Sequence, residues 1–567
     1  MHVIKEKTKS KAFSTSSTTI EKLCNQQQIM QLFNNNIMRI PFLIKGQLRI
    51  PKMLDIHQIE RSFEILDNKR GPSESWPTYV CIDEVQVLRE SVYDRDTLTR
   101  TSSCRYSLMP MFKPEEVIES DMTLLADELF NLPVEEIFRY VESLRNALEA
   151  SDTFVDYLRE STLATSEHPD AWHNSGFSAI YSLLEPDDLR QMIDQDICAW
   201  GIPGTKLLDG WQTIGDAQLI PAPVNMLADA IFADEHHQFT PRIPQLRAMP
   251  TRQLHITAGN APQIPFISAM RAIATKSAAV IKSPYGATMP GALLALAAVV
   301  GNPHHPITKH LSIVYWPGGG AGFETAFYAP TAFERIVVWG APEAVMSVKQ
   351  KALHCKVLTF NPRYGMSLLG REIFQAADLN RIAIKALTDA LIANQKACIA
   401  TQVIYVEGEI AQIKKLAVTL QTVLAKFDKE VPNLLLPRHI GEIKRLQKGK
   451  LLNAEWYVNE LKSNETNGRF SSGVVISEET FNINIHPMCR LIVLRPVAEL
   501  SDAFSYMHPG VSTVSIYPET RCVQLRDRIA AHGVSNILPL GQSGSGFPGQ
   551  SHDGMLVLSE LVDWKNG

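Results

Sequence analysis

The spacing of hydrophobic and polar positions changes period along the chain, and those changes divide it. Residues 1–50 are polar and Asn/Gln-rich, which predicts a poorly ordered tail. Between 51 and 120, short alternating runs such as Tyr79-Val-Cys-Ile82 and Glu84-Val-Gln-Val-Leu88 predict strands of a small β element. Residues 121–234 return to helical spacing, with helices expected at 121–132, 134–150 and 183–198. From Gln253 the texture becomes strand–turn–helix. Strands are expected at 254–257, 278–281, 311–315 and 335–339, and helices at 265–274 and 291–300. A second alternating block begins near Lys356-Val-Leu-Thr-Phe360. It runs through a helix at 378–392, a strand at 403–406, a long helix at 409–427 and strands at 490–494 and 513–516 to a helix at 520–531. The polar stretch 463–472 predicts a loop, and 541–554 a Gly/Ser-rich loop. No internal repeat is visible.

Short β-branched runs alternating with helices imply βαβ units and a mainly parallel sheet, hence an α/β fold. At 567 residues the chain exceeds one ordinary core. The pattern divides it into a tail (1–50), an extension with a first α/β domain (51–354) and a second α/β domain (355–567).

Composition narrows the function classes. Hydrophobic residues make up 45% and charged residues 20%, with a net charge of −5 and both signs mixed. No polybasic footprint points to nucleic acid. No apolar run reaches the roughly 18 residues of a membrane span. The first 20 residues are Lys/Ser/Thr-rich without the apolar segment of a secretory signal, and predict a disordered tail or an upstream mis-start, an organellar transit peptide being the alternative. Eight scattered cysteines form no Cys-x-x-Cys pair, so neither a metal site nor a disulfide framework is expected, which suits a reducing, cytoplasmic compartment.

Four points carry possible chemistry. Cys398, in Asn394-Gln-Lys-Ala-Cys398-Ile-Ala-Thr-Gln402, stands between a helix end and a strand among small residues. That placement suits a thiol presented to a cleft, and equally a core cysteine. Asn260, in Ala258-Gly-Asn260-Ala-Pro262, follows a strand. It reads as an oxyanion donor or a helix cap. Lys282, in Val280-Ile-Lys282-Ser283-Pro-Tyr-Gly286, ends a buried-type strand, and with Ser283 could grip a ribose or phosphate or simply meet solvent. Gly340-Ala341-Pro-Glu343 turns a strand into a helix, which suits a pyrophosphate at backbone N–H groups.

In this order, with Asn260 22 residues before Lys282 and 138 before Cys398, the set resembles the aldehyde dehydrogenase superfamily. Gly259-Asn-Ala-Pro262, the run Lys309–Trp316 with Gly318-Gly-Gly320, Ile336-Val-Val-Trp-Gly340, Gln395-Lys-Ala-Cys398 and Ser551-His-Asp-Gly554 resemble its fatty acyl-CoA reductase (LuxC-like) branch, over about residues 120–567.

The resemblance implies an aldehyde-dehydrogenase-like fold: a Rossmann-type cofactor domain, an α/β thiol domain and an N-terminal extension. It implies Cys398 as nucleophile, Asn260 and the Cys398 N–H as oxyanion donors, and Lys282, Ser283, Gly340, Ala341 and Glu343 around the cofactor. The implied reaction is NADPH-dependent reduction of an acyl thioester, on CoA or a carrier protein, to an aldehyde. An acyl-transferring synthetase partner and a homo-oligomer belong to the same implication.

Hydrolytic aldehyde dehydrogenases carry a Glu-Leu-Gly-Gly segment upstream of the cysteine. The corresponding Phe360–Ser367 stretch here has no carboxylate, so an acyl-enzyme would outlast attack by water. No acid follows Lys282 up to Gly286, which favours NADPH over NADH.

A thiol at its ordinary pKa of about 8.5 is only a few per cent ionised at pH 7, so an electropositive or donor-rich site is expected. His354, His486 and His552 are the candidate acid–base partners, and the 541–554 loop a wall of the acyl channel. The rival readings are an oxidative CoA-acylating aldehyde dehydrogenase, an acyl-phosphate reductase and a non-catalytic scaffold.

Overall fold

The computed structural model describes residues 19–27, 36–69, 79–95, 100–166, 170–216, 230–231, 243–433, 435, 437–448, 454–463, 466–478 and 486–567. In chain order its strands are β1 (Ile37–Arg39), β2 (Phe42–Ile44), β3 (Gln47–Arg49), β4 (Tyr79–Ile82), β5 (Val85–Tyr93) and β6 (Arg100–Pro110). Next come β7 (Gln212–Thr213), β8 (Gln245–Met249), β9 (Arg252–Ile256), β10 (Ala278–Lys282), β11 (Leu311–Val314), β12 (Arg335–Trp339) and β13 (Lys356–Phe360). The last eight are β14 (Tyr364–Leu369), β15 (Thr401–Glu407), β16 (Ala454–Ser463), β17 (Thr466–Ser477), β18 (Leu491–Val497), β19 (Val511–Tyr517), β20 (Asn536–Pro539) and β21 (Asp563–Asn566).

Two seven-stranded sheets dominate. The first runs β13-β12-β9-β10-β11-β2-β3, parallel from β13 to β11. Its central strands are buried along nearly their whole length because helices cover both faces. The helix Met289–Gly301, buried over its first ten residues, is one of them. The second sheet runs β16-β17-β18-β15-β14-β19-β20, parallel except for the β16–β17 hairpin. Counted in chain order, the five core strands of each sheet lie 3-2-1-4-5. In open parallel sheets of that order, ligands bind beyond the strands' carboxyl ends where the order reverses. In the first sheet that point lies between β9 and β12.

Three expectations change. Residues 36–49 are not a tail. The apolar run Phe42-Leu-Ile44 is buried and pairs antiparallel with β11, extending the first sheet. Residues 1–18 and 28–35 lie outside the described residues. Lys356–Phe360 does not open the second block but pairs with β12, so the sheets change over between Phe360 and Tyr364. The predicted loop at 463–472 is largely the β17 arm of a hairpin. This hairpin closes the end of the sheet, and Phe470 and Val475 turn into a small core with Leu491.

The chain end returns to the first half. The helix Val557–Leu561 joins the first sheet's core, and β21 pairs with β8.

Candidate active site

The carboxyl edge of the first sheet meets the amino edge of the second, and the candidate residues gather at that seam. Cys398 precedes β15, and Arg363 precedes β14. Ser512, at the start of β19, donates its hydroxyl to the Cys398 carbonyl at 2.5 Å. Gly365 allows this packing. Its N–H donates to Ala400 O at 2.8 Å, and a Cβ there would collide with the Ile399 carbonyl.

The turn leading to the thiol is strained. Ala393, Asn394 and Gln395 adopt φ of 48°, 54° and 70°, and non-glycine residues in that region persist only when surroundings fix them. Here the fixing is explicit. Asn394 accepts from Arg490 Nε at 2.8 Å and donates to Asn433 at 2.9 Å. Gln395 donates to Leu491 O at 2.9 Å. Arg490 is fully buried and pairs with Asp428 at 2.6 Å.

Asp553 is the group the sequence did not single out by role. It lies on the terminal loop, buried, with φ of 55°, and pairs with Arg363 at 3.4 Å. Burial pushes the Cys398 thiol up to about 11, the Asp553 charge adds to this, and its own N–H and Arg363 oppose it. The expectation of an electropositive site is therefore corrected: desolvation and a neighbouring carboxylate keep the free thiol protonated. Burial also raises the Asp553 pKa, so this carboxyl is a better proton acceptor than an exposed aspartate.

None of the three expected histidines is an ion or hydrogen-bond partner of Cys398 among the described residues. His354 is exposed beyond the helix Pro342–Lys351. His486 is buried, accepts from Met488 N at 2.9 Å and is pushed down to about 4 by desolvation. His552 packs on Trp339 and Phe360 and accepts from Arg271 at 2.9 Å. Burial, Arg271 and Arg363 push it down to about 3. It ties the terminal loop to the ends of β12 and β13.

Asn260 is exposed after β9, its amide without a hydrogen bond among the described residues. It lines a cavity of about 460 Å³ together with Lys396, two residues before the thiol, so the Asn260 loop and the Cys398 turn share one space. Asn260 is thus not spent as a helix cap.

Lys282 ends β10 with its ammonium over the rings of Tyr315 (5.3 Å) and Trp316 (5.1 Å). It has no ion-pair partner among the described residues. The nearby Glu324 is paired to Lys351 at 2.9 Å. Burial pushes Lys282 down to about 8. Ser283 is buried against Gly291, where a Cβ would collide with its hydroxyl, so it backs the turn instead of facing the cleft. Gly340 and the exposed Ala341 and Glu343 form the entry to the helix Pro342–Lys351. Glu372 lies at the carboxyl edge of the second sheet, paired with Arg521 at 2.9 Å, at the opposite end of β14 from the thiol loop. The Phe360–Ser367 stretch contributes Arg363, a cation, where the hydrolytic enzymes carry their base. His/Cys/Asp/Glu groupings able to hold a metal are absent among the described residues.

Comparison with known proteins gives the family and the fold. A family model described as acyl-CoA reductase (LuxC) matches residues 232–564. The chain is 26% identical over 320 residues to a long-chain acyl-protein thioester reductase of Vibrio harveyi, covering 56% of this chain and 64% of that protein. It is 27% identical over 331 residues to the protein of the same description in Photorhabdus luminescens, covering 56% and 64%. The chain thus spans less than two thirds of these relatives' length.

Among solved structures, an aldehyde dehydrogenase of Bartonella henselae superposes with a TM-score of 0.60 at 14% identity, covering 93% of this chain and 98% of the other. An NADP-dependent glyceraldehyde-3-phosphate dehydrogenase of Bacillus halodurans, complexed with NADP, gives 0.60 at 13%, covering 85% and 95%. The aldehyde-dehydrogenase-like α/β fold expected from the sequence is the fold observed.

Proposed function

The chain belongs to the acyl-CoA reductase (LuxC) family, and we propose that it reduces an acyl thioester to the aldehyde with NADPH. The observation that carries this reading is the seam: the Asn260 loop and the Cys398 turn share one cavity at the carboxyl edge of a 3-2-1-4-5 sheet. In this reading the first sheet holds the cofactor and the second carries the thiol.

The residues fit the cofactor. Lys282 is a partly desolvated cation with no ion-pair partner among the described residues, placed to hold a ribose or its phosphate. The Gly340–Ala341 turn offers N–H groups to a pyrophosphate. The absence of an acid from Ser283 to Gly286 leaves room for a 2′-phosphate. We assign Glu343 to the favourable interaction of an acid with its own helix N-terminus, since its carboxylate would repel phosphate.

Asp553 takes the proton of Cys398. The thiolate attacks the thioester carbonyl, the new C–S bond forms, the substrate's own C–S bond breaks, and the CoA or carrier thiolate leaves with the proton returned by Asp553. Asn260 and the Cys398 N–H hold the oxyanion. NADPH, held by Lys282 and the Gly340–Ala341 turn, would supply the hydride that reduces the acyl-enzyme to a thiohemiacetal on Cys398. Collapse at Cys398 Sγ frees the aldehyde. With Arg363 in place of a water-activating carboxylate, hydrolysis of the acyl-enzyme is slow.

Intact-mass analysis after incubation with acyl-CoA tests the reading. The expected result is an adduct on the wild type that NADPH removes and that Cys398→Ala lacks. Unchanged aldehyde formation by Cys398→Ala would sink the acyl-enzyme, and no adduct and no aldehyde from any thioester would leave a scaffold.

A further inference from the structure

Lys282 feels the charge of an acid that comes from another element. This is Glu324, the last residue of the helix Ala321–Glu324, which follows the exposed Gly318-Gly-Gly320 turn. Trp316 joins the two. The Lys282 ammonium lies 5.1 Å from the centre of the Trp316 ring, and Trp316 Nε1–H donates to Glu324 Oε1 at 3.3 Å. The indole is buried and stacks on Phe327 at 4.5 Å, which fixes it where both groups meet it.

The second carboxylate oxygen, Oε2, accepts from Lys351 Nζ at 2.9 Å. Lys351 ends the helix Pro342–Lys351, and its ammonium lies 5.6 Å from the Tyr328 ring. Glu324 is only 7% exposed, so water screens its charge little.

This arrangement bears on which dinucleotide Lys282 accepts. A ribose 2′-phosphate needs a cation and is repelled by a carboxylate. A ribose 2′-hydroxyl is held by a carboxylate with a free oxygen. Here both oxygens of Glu324 are engaged and Lys351 offsets its charge, so the Lys282 ammonium keeps its own. Without Lys351, Glu324 would turn to Lys282 with an oxygen to spare, a setting that suits NADH.

We propose that Lys351 sets the preference for NADPH over NADH: by engaging Glu324 it leaves the Lys282 charge to the 2′-phosphate. The proposal rests on the cofactor reading of Lys282 above. Lys351 acts through Glu324 and is a positioning residue, not a cofactor contact.

Binding, not turnover, tests this. NADPH and NADH are titrated against the full chain by fluorescence, and the ratio of their dissociation constants is compared among variants. In Lys351→Met the preference for NADPH should fall by at least about tenfold, chiefly through weaker NADPH binding. Lys351→Arg should keep it, and adding Glu324→Gln to Lys351→Met should restore it. A merely structural role would weaken both dinucleotides together. That result, an unchanged ratio, or a ratio that Glu324→Gln does not restore overturns the proposal. Lys282→Met tests the reading beneath it. NADPH bound there as tightly as by the wild type overturns the cofactor reading and the proposal with it. Weakened binding there, with an unchanged ratio in Lys351→Met, overturns the proposal alone.

Discussion

Asp553 acts on Cys398 in two opposed ways. Its charge raises the thiol pKa, and in the proposed mechanism its carboxyl accepts the proton of the attacking thiol. The two effects separate in Asp553→Asn. Removing the charge lowers the thiol pKa, so iodoacetamide should alkylate Cys398 faster at pH 8. Removing the acceptor should slow thioester reduction by about 100-fold or more. Slower alkylation would contradict the electrostatic assignment.

Lys282 gives a second residue-scale prediction. Its ammonium is charged below a pKa of about 8 and loses its proton above it. NADPH affinity, read by fluorescence titration, should weaken as pH rises through about 8. In Lys282→Met that dependence should vanish and the affinity be low throughout.

The sequence made Cys398, Asn260 and Lys282 legible because each ends or begins a recognisable strand. Asp553 stood inside a quoted signature, yet its role was illegible. It lies 155 residues beyond the cysteine, and only the return of the chain end across the seam brings the two together.

At the scale of elements, the turn before Cys398 is built against its own backbone preference. Two left-handed stretches, 393–395 and 488–490, are locked together by Asn394, Arg490 and Gln395. The lock depends on Asp428, which neutralises a guanidinium with no solvent access. Breaking one side of a buried pair costs about 3–5 kcal/mol, so Asp428→Asn should loosen β18 by that amount, read by amide hydrogen exchange. Ala393→Gly should have the opposite sign and gain up to about 1 kcal/mol, because glycine tolerates φ of 48°.

This network was invisible in the sequence, where Arg490 reads as the polar start of an apolar strand. The β16–β17 hairpin was missed for a related reason. Composition marks a polar strand as a loop when pairing at a sheet end holds it in place.

At the scale of the molecule, the same 3-2-1-4-5 order occurs twice without a visible sequence repeat, because handedness and packing of βαβ units set topology, not residue identity. The two sheets are used differently. The first opens its carboxyl edge to the seam. At the carboxyl edge of the second, Arg371, Glu407, Arg521 and Glu372 pair with one another, leaving its amino edge to carry the thiol.

The chain end joins the halves. Asp389, on the helix Leu379–Ala390, accepts from Gly541 and Ser543 N–H at 2.7 and 2.8 Å. Asp196 accepts from Leu558 N–H at 2.9 Å, and Arg335 donates to Glu560 O and Val562 O at 2.8 and 2.7 Å. Asp553 hangs between these anchors, so its position at the thiol depends on both. Arg335→Ala should therefore raise hydrogen exchange across 557–566 and slow thioester reduction, while leaving exchange in β14, β15 and β18 unchanged. A wild-type rate in a variant whose chain end exchanges freely would show that Asp553 holds its place without the strap.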